Sequence, residues 1–296
     1  MSKVRKAIIP AAGYGTGFLP ATKASPKELL PIVDKPIIQF IVEEAMASGI
    51  EEIIIVTGKH KRSIEDHFDS AIELESNLLE KEKWDLLELV KDTTMPNLFF
   101  VRQSYPLGLG DAIYQAKAFV SNEPFVVMLG DNIIDAEIPV TKQLIDLYDE
   151  TQQMNVAVIE TPEKDLSKYG NVDKGTLLPQ FGHGDDVIKV NNFIEKPTKE
   201  NILSSYAIAG RYVLTPEIFD VLANQEPGID DKIQLTDALQ KISQYQTVYA
   251  RIVDADRHDV GNKLGYLQYS LEYGLEHPEI ADGLRDLIIK KSQDLK

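Results

Sequence analysis

The chain has 296 residues, 43% of them apolar, enough to bury roughly 75% of the surface its unfolded form exposes. Its formal charge of −16 argues against a general nucleic-acid or anionic-membrane binder, which needs a basic face, yet permits a small anion held by a few lysines and amides. Cysteine is absent, which excludes disulfides and thiolate chemistry. No apolar run reaches the ~20 residues of a membrane span, and the charged start leads straight into a strand, so a soluble cytoplasmic protein is expected.

Short β-branched runs alternate with longer amphipathic segments, the pattern of an α/β sheet covered by helices. Strands are expected at 7–10, 52–57, 98–101, 125–129, 156–159 and 207–214, with helices at 36–48 and 109–119. The charged stretch 62–91 reads as a solvated amphipathic helix or helix pair, with a subunit interface as the alternative. Residues 175–186 read as a surface loop, the chain beyond 263 as mostly helical, and 292–296 as a frayed end. One domain over 1–296 is the economical reading, with a helical insertion near 62–94 and a helical segment near 263–296. His60, His67, His183, His258 and His277 are scattered without metal-ligand spacing.

The first strand breaks into "AAGYGTGFLPATKASPKELLP". Gly13-x-Gly15-x-Gly17 is not the dinucleotide fingerprint, because Phe18 stands where the third glycine would fall, and no GxxxxGK[ST] loop occurs. The prolines, lysines and glutamate that follow are too ordered in spacing for a plain turn. This stretch resembles the signature of bacterial UTP–glucose-1-phosphate uridylyltransferases. The likeness continues in order through "SIEDHFD", "VRQSYPLGLG", "MLGDN", "YGNVD", "FIEKP", "GRYVLTPEIF", "IQLTDAL" and "HDVGNKLGY".

That resemblance implies a Rossmann-like nucleotidyltransferase fold with a mixed, mostly parallel central sheet flanked by helices. It implies a reaction joining UTP and glucose 1-phosphate into UDP-glucose and pyrophosphate with Mg²⁺. By the same likeness, Ala11, Ala12, Gly13 and Gly15 line the nucleotide, Glu28 and Gln103 read the uracil edge, and Gly108 leaves room for the base. Gly170, Glu195 and Lys196 meet the sugar phosphate. Asp131 and Asp259 hold the metal, and Lys27, Asp131 and Lys196 carry catalysis. Relatives form dimers and tetramers, so a homo-oligomer is expected.

The residues also depart from the family pattern. The loop GxGTR appears with Gly17 in the arginine's place, and arginines of this kind in phosphoryl transfer are worth on the order of 10³–10⁵ in rate. GGEIQLTDA becomes Asp230-Asp231-Lys232-Ile233-Gln234-Leu235-Thr236-Asp237-Ala238, GLGHA carries Asp111 for the histidine, and Asn132 follows Asp131 where many members read GDD. Three readings stand at this point. The chain is an active enzyme in which Lys23, Lys27 or Lys196 offsets the loss, or a weak copy that binds nucleotide and associates with an active paralogue, or a scaffold without ligand.

Overall fold

Side chains alternate between the two faces of a strand, and here both faces are apolar. In the strand Lys6–Ala11, Ala7, Ile9 and Ala11 enter one buried cluster and Ile8 the other. In Glu52–Thr57, Ile53 and Ile55 point one way, Ile54 and Val56 the other. Strands buried on both sides belong inside a helix-covered, largely parallel sheet.

A computed structural model, describing residues 3–95, 97–181 and 186–294, shows that sheet. Eleven strands form it. Nine run in the order Thr176–Leu177, Val187–Val190, Val248–Ile252, Met154–Glu160, Tyr206–Leu214, Phe125–Met128, Lys6–Ala11, Glu52–Thr57 and Leu98–Arg102. Gly170–Val172 and Phe193–Glu195 pair beside Tyr206–Leu214. The four strands from Phe125–Met128 to Leu98–Arg102 are parallel, and Tyr206–Leu214 is antiparallel to its neighbours. Helices Ile37–Ala47, Arg62–Phe68 and Val140–Thr151 cover one face; Leu109–Gln115, Ile218–Ala223 and Leu235–Ser243 cover the other.

Lys6–Ala11 pairs with Glu52–Thr57 on one side and with Phe125–Met128 on the other. The chain therefore reverses its direction across the sheet at this strand. In open α/β sheets the crevice at the carboxyl ends beside such a reversal is where ligands bind. The glycine loop leaves the sheet at that point.

The main expected strands are present within a residue or two of their expected bounds. The 62–91 stretch is three helices, Arg62–Phe68, Ile72–Glu80 and Trp84–Asp92; the last two bury only Leu78 and Leu87 within this chain and leave Ile72, Trp84 and Leu89 exposed. The single helix expected at 109–119 is Leu109–Gln115 followed by Lys117–Val120. Residues 175–186 are not all loop, because Thr176–Leu177 pairs with Val187–Val190; His183 lies outside the described residues. The terminal helical segment is Lys263–Glu276 and Ala281–Asp294, separated around Pro278, which cannot continue a helix. Helix extends through Asp294, so residues 292–294 are not a frayed coil, and the last two residues lie outside the described ones. Among the described residues no helix is long and apolar enough to cross a membrane.

Candidate active site

After Ala11 the chain makes three short 3-10 turns, Thr16–Phe18, Ala21–Lys23 and Lys27–Leu29. Gly15 has φ +66 and packs against Lys27 and Thr22: a Cβ there would lie 3.2 Å from the Cβ of each. The turn thus needs glycine for both conformation and space. Its folding back directs Lys27 Nζ to Asp131 Oδ2 at 2.5 Å. Burial pulls the Lys27 pKa down, but the Asp131 and Glu28 carboxylates outweigh it, and the lysine titrates above its ordinary range. Burial likewise pushes Asp131 up, and Lys27 brings it below the usual aspartate range. The pair is ionised at neutral pH.

Asp131 lies just past the strand Phe125–Met128, and its neighbour Asn132 opens a two-stranded ribbon, Asn132–Asp135 against Asp256–Asp259, in which Asn132 faces Asp259. A Cβ built on Gly261 would lie 2.9 Å from Asp131 Oδ2 and 3.1 Å from Asp259 Oδ1, so the two carboxylates converge on one point. Tyr169 donates its hydroxyl to Asp259 at 3.2 Å, and burial and that carboxylate push the phenol up to about 12, keeping the proton on it. Beneath the ribbon, fully buried Arg211 donates to both oxygens of Glu44 and to the Asn132 carbonyl at 2.8 Å. Two hard oxygen donors with open positions suit Mg²⁺, which is commonly held by one or two carboxylates plus substrate phosphates. Among the described residues no group of three or more His, Cys, Asp or Glu forms an all-protein cage.

A cleft of about 510 Å³ opens beside this corner, lined by Ala12, Gly13, Lys27, Glu28, Gln103, Gly108, Asp131 and Lys196 among others. Most of the residues selected from sequence are thus brought together. Ala11 is not on the wall; its side chain is 1% exposed in the core. Gly15 supports Lys27 from behind, and Asp259 approaches from the ribbon.

Also on the cleft wall, Gln103 donates from Nε2 to the Gly108 carbonyl at 3.1 Å and to Asp111 Oδ2 at 2.6 Å. Glu28 is 1% exposed, and both its oxygens accept from Lys61 Nζ at 2.9 and 2.7 Å. Burial lowers the Lys61 pKa. The sequence reading missed this lysine, which lies 33 residues from its partner with no local signal. Gly108 has φ +122, and a Cβ there would lie 2.6 Å from the Ile233 carbonyl oxygen. Glycine is therefore required by the 229–234 segment itself. That segment clasps the loop: Lys232 Nζ donates to the Pro106 carbonyl, Ile233 N–H to Leu107 and Gly110 N–H to Ile233.

On the remaining side, Gly170 pairs with Glu195 across adjacent strands. A Cβ on Gly170 would crowd Thr236 Oγ1 at 3.0 Å and Glu195 Oε2 at 3.3 Å. Thr236 donates to Glu195 Oε2 at 2.6 Å, and burial raises the Glu195 pKa against that bond and Lys196. Lys196 has φ +44 and pairs with Asp230 at 3.1 Å. Asp230 and Asp231 themselves have φ +62 and +53, the conformation glycine favours, at the places where the family pattern has two glycines.

The departures are now located. Gly17 is exposed beside Gly261, where a Cβ would lie 3.1 Å from the Gly261 carbonyl, next to the two carboxylates. Lys27 and Lys196 already have acidic partners, whereas Lys23 lines an adjoining cleft of about 340 Å³ with Lys59 and Lys61. Lys232 acts as a clasp on the Pro106 carbonyl.

A mixed sheet with a phosphate-type loop, a lysine and paired carboxylates at a strand reversal defines a nucleotidyltransferase, and the Nucleotidyl transferase family model matches residues 6–275. A UTP–glucose-1-phosphate uridylyltransferase of Streptococcus pyogenes is 55% identical over 300 residues, covering 100% of this chain and 97% of its own. The UDP-glucose pyrophosphorylase of Acinetobacter baumannii superposes with TM-score 0.86 at 37% identity, covering 97% of this chain and 99% of that one. A UDP-glucose pyrophosphorylase solved with UDP-glucose gives TM-score 0.81 at 39% identity, covering 93% and 100%. The chain belongs to the bacterial UTP–glucose-1-phosphate uridylyltransferase family.

Proposed function

We infer that the chain transfers the uridylyl group of UTP to α-D-glucose 1-phosphate, giving UDP-glucose and pyrophosphate. The observation that carries this reading is the convergence of Lys27, Asp131 and Asp259 beside a cleft that Lys27, Asp131 and Gln103 line together. A sugar phosphate is ionised at neutral pH, so its oxygen attacks the α-phosphate without a general base. Catalysis then consists of alignment and charge neutralisation.

Backbone from Ala11 to Gly15 approaches the nucleotide, with Gln103 at the uracil edge, Glu28 held behind it by Lys61, and Gly108 at the turn. Lys27 neutralises phosphate charge as pyrophosphate leaves. Glu195 and the backbone at Gly170 take sugar hydroxyls, and Lys196 leaves Asp230 for the 1-phosphate. Mg²⁺, held by Asp131 and Asp259, supplies Lewis-acid charge neutralisation at the phosphates when bound. Assembly into a dimer or tetramer is supported by exposed Leu264, Leu267 and Leu271 at helical spacing on Lys263–Glu276, and light scattering would read it.

The test is pyrophosphate release by purified protein with UTP, glucose 1-phosphate and Mg²⁺, beside Gly17→Arg. Release that requires both substrates is expected, faster by about 10² in the arginine variant. No release from either protein, with UDP-glucose still bound in calorimetry, would place the chain among non-catalytic binders and overturn the reading.

A further inference from the structure

The helix Leu109–Gln115 carries Asp111 where the family pattern has histidine, and this aspartate touches the amide at the base end of the cleft. Gln103 is 5% exposed, and its Nε2 donates to two groups, the Gly108 carbonyl at 3.1 Å and Asp111 Oδ2 at 2.6 Å. A carbonyl and a carboxylate can only accept. Turning the amide over would set Oε1 against both of these oxygens, so one of its two orientations is closed. The Gly108 carbonyl supplies one of these acceptors whatever stands at 111; Asp111 adds a second, charged one at the shorter distance, which a histidine ring, able to donate or accept, would not.

Asp111 is itself held in place. Its Oδ1 accepts from Gln115 Nε2 at 3.1 Å, and it sits in the first turn of its helix, where a carboxylate is favoured. Gln103 Oε1 accepts no hydrogen bond among the described residues, and Gln103 lines the cleft. What the site offers a base from this side chain is therefore an acceptor.

We propose that Asp111 is a specificity-determining positioning residue: it locks Gln103 with its oxygen toward the base and so selects pyrimidines that carry hydrogen on N3. The inference rests on the reading that Gln103 meets the base of UTP. Uracil donates from N3 to the fixed oxygen. Cytosine has a lone pair at N3, which the same oxygen repels. Held by the Gly108 carbonyl alone, the amide turns over against one opposing oxygen in place of two, and cytosine is excluded less strongly. Thymine shares the uracil edge, so Asp111 does not separate the two.

The experiment compares UTP, dTTP and CTP with wild type, Asp111→Ala and Asp111→Asn, by kcat/KM from pyrophosphate release and by calorimetric Kd. The asparagine variant keeps the volume and can donate as well as accept, so it removes the share of the lock that Asp111 supplies even where alanine disturbs the helix. Both variants are expected to compress the UTP-to-CTP ratio at least about tenfold, equal to about 1.4 kcal/mol, with CTP itself improving and dTTP following UTP. A purely structural role would weaken all three nucleotides by one factor; that outcome, or an unchanged ratio, overturns the proposal. The Kd ratio reads base discrimination even without turnover, which keeps a failure of the transfer reaction distinct from a failure of this inference.

Discussion

Lys27→Met removes the charge 2.5 Å from Asp131 while keeping most of the side-chain volume. Removing one partner of a buried pair costs about 3–5 kcal/mol; these side chains keep 21% and 30% exposure, so solvent screens part and about 2 kcal/mol remains. The sign with pH follows from Asp131. In the wild type its pKa lies below the ordinary 3.8, so it adds stability that is present above 3.8 and lost as pH falls through the lower folded value. Without Lys27, burial dominates and the pKa rises. The variant is then weakest near neutral pH, and its deficit shrinks as pH falls toward the raised value. Loss of one preorganised charge-stabilising group costs about 10²–10³ in kcat. The assay is pyrophosphate release at saturating glucose 1-phosphate, with thermal melts from neutral to acid pH. A kcat within about threefold of wild type, or a melting deficit that grows as pH falls, would refute the reasoning.

Two further outcomes are expected. Arg211→Met leaves the Glu44 carboxylate without its buried partner and should lower unfolding stability by about 3–5 kcal/mol, while the Arg211→Met, Glu44→Leu double variant recovers at least half; strictly additive losses in denaturant melts would contradict this. Burial raises the Glu195 pKa above 4.5, so KM for glucose 1-phosphate should climb as pH falls through that raised value. Glu195→Gln should lift that KM about tenfold, flatten its pH dependence and spare KM for UTP, because a charge-assisted hydrogen bond is worth about 1.5–3 kcal/mol. An equal rise for both substrates would place Glu195 elsewhere.

The strands that build the sheet centre were legible because both of their faces are buried, which leaves continuous β-branched runs such as Glu52–Thr57. Strands of two to five residues at the far edge, such as Thr176–Leu177 and Val187–Val190, carry too few residues for a period to emerge. The helix pair Ile72–Glu80 and Trp84–Asp92 could not be resolved by periodicity, since its break at 81–83 is charged like its flanks. Around the cleft, lining residues that lie on one loop or one strand end were legible. Contacts that join distant segments were not: Lys61 with Glu28, Tyr169 with Asp259, and Arg211 under Asn132. Read along the chain, Lys232 was a lost acid and Asp111 a lost histidine. In space, the first donates to the Pro106 carbonyl and the second accepts from Gln103.

The most direct test of the central claim follows the phosphorus atom. With UTP labelled at the α-phosphate, glucose 1-phosphate and Mg²⁺, the account predicts label in UDP-glucose and one unlabelled pyrophosphate for each molecule formed. Label recovered only as UTP, or as UMP without UDP-glucose, would contradict it.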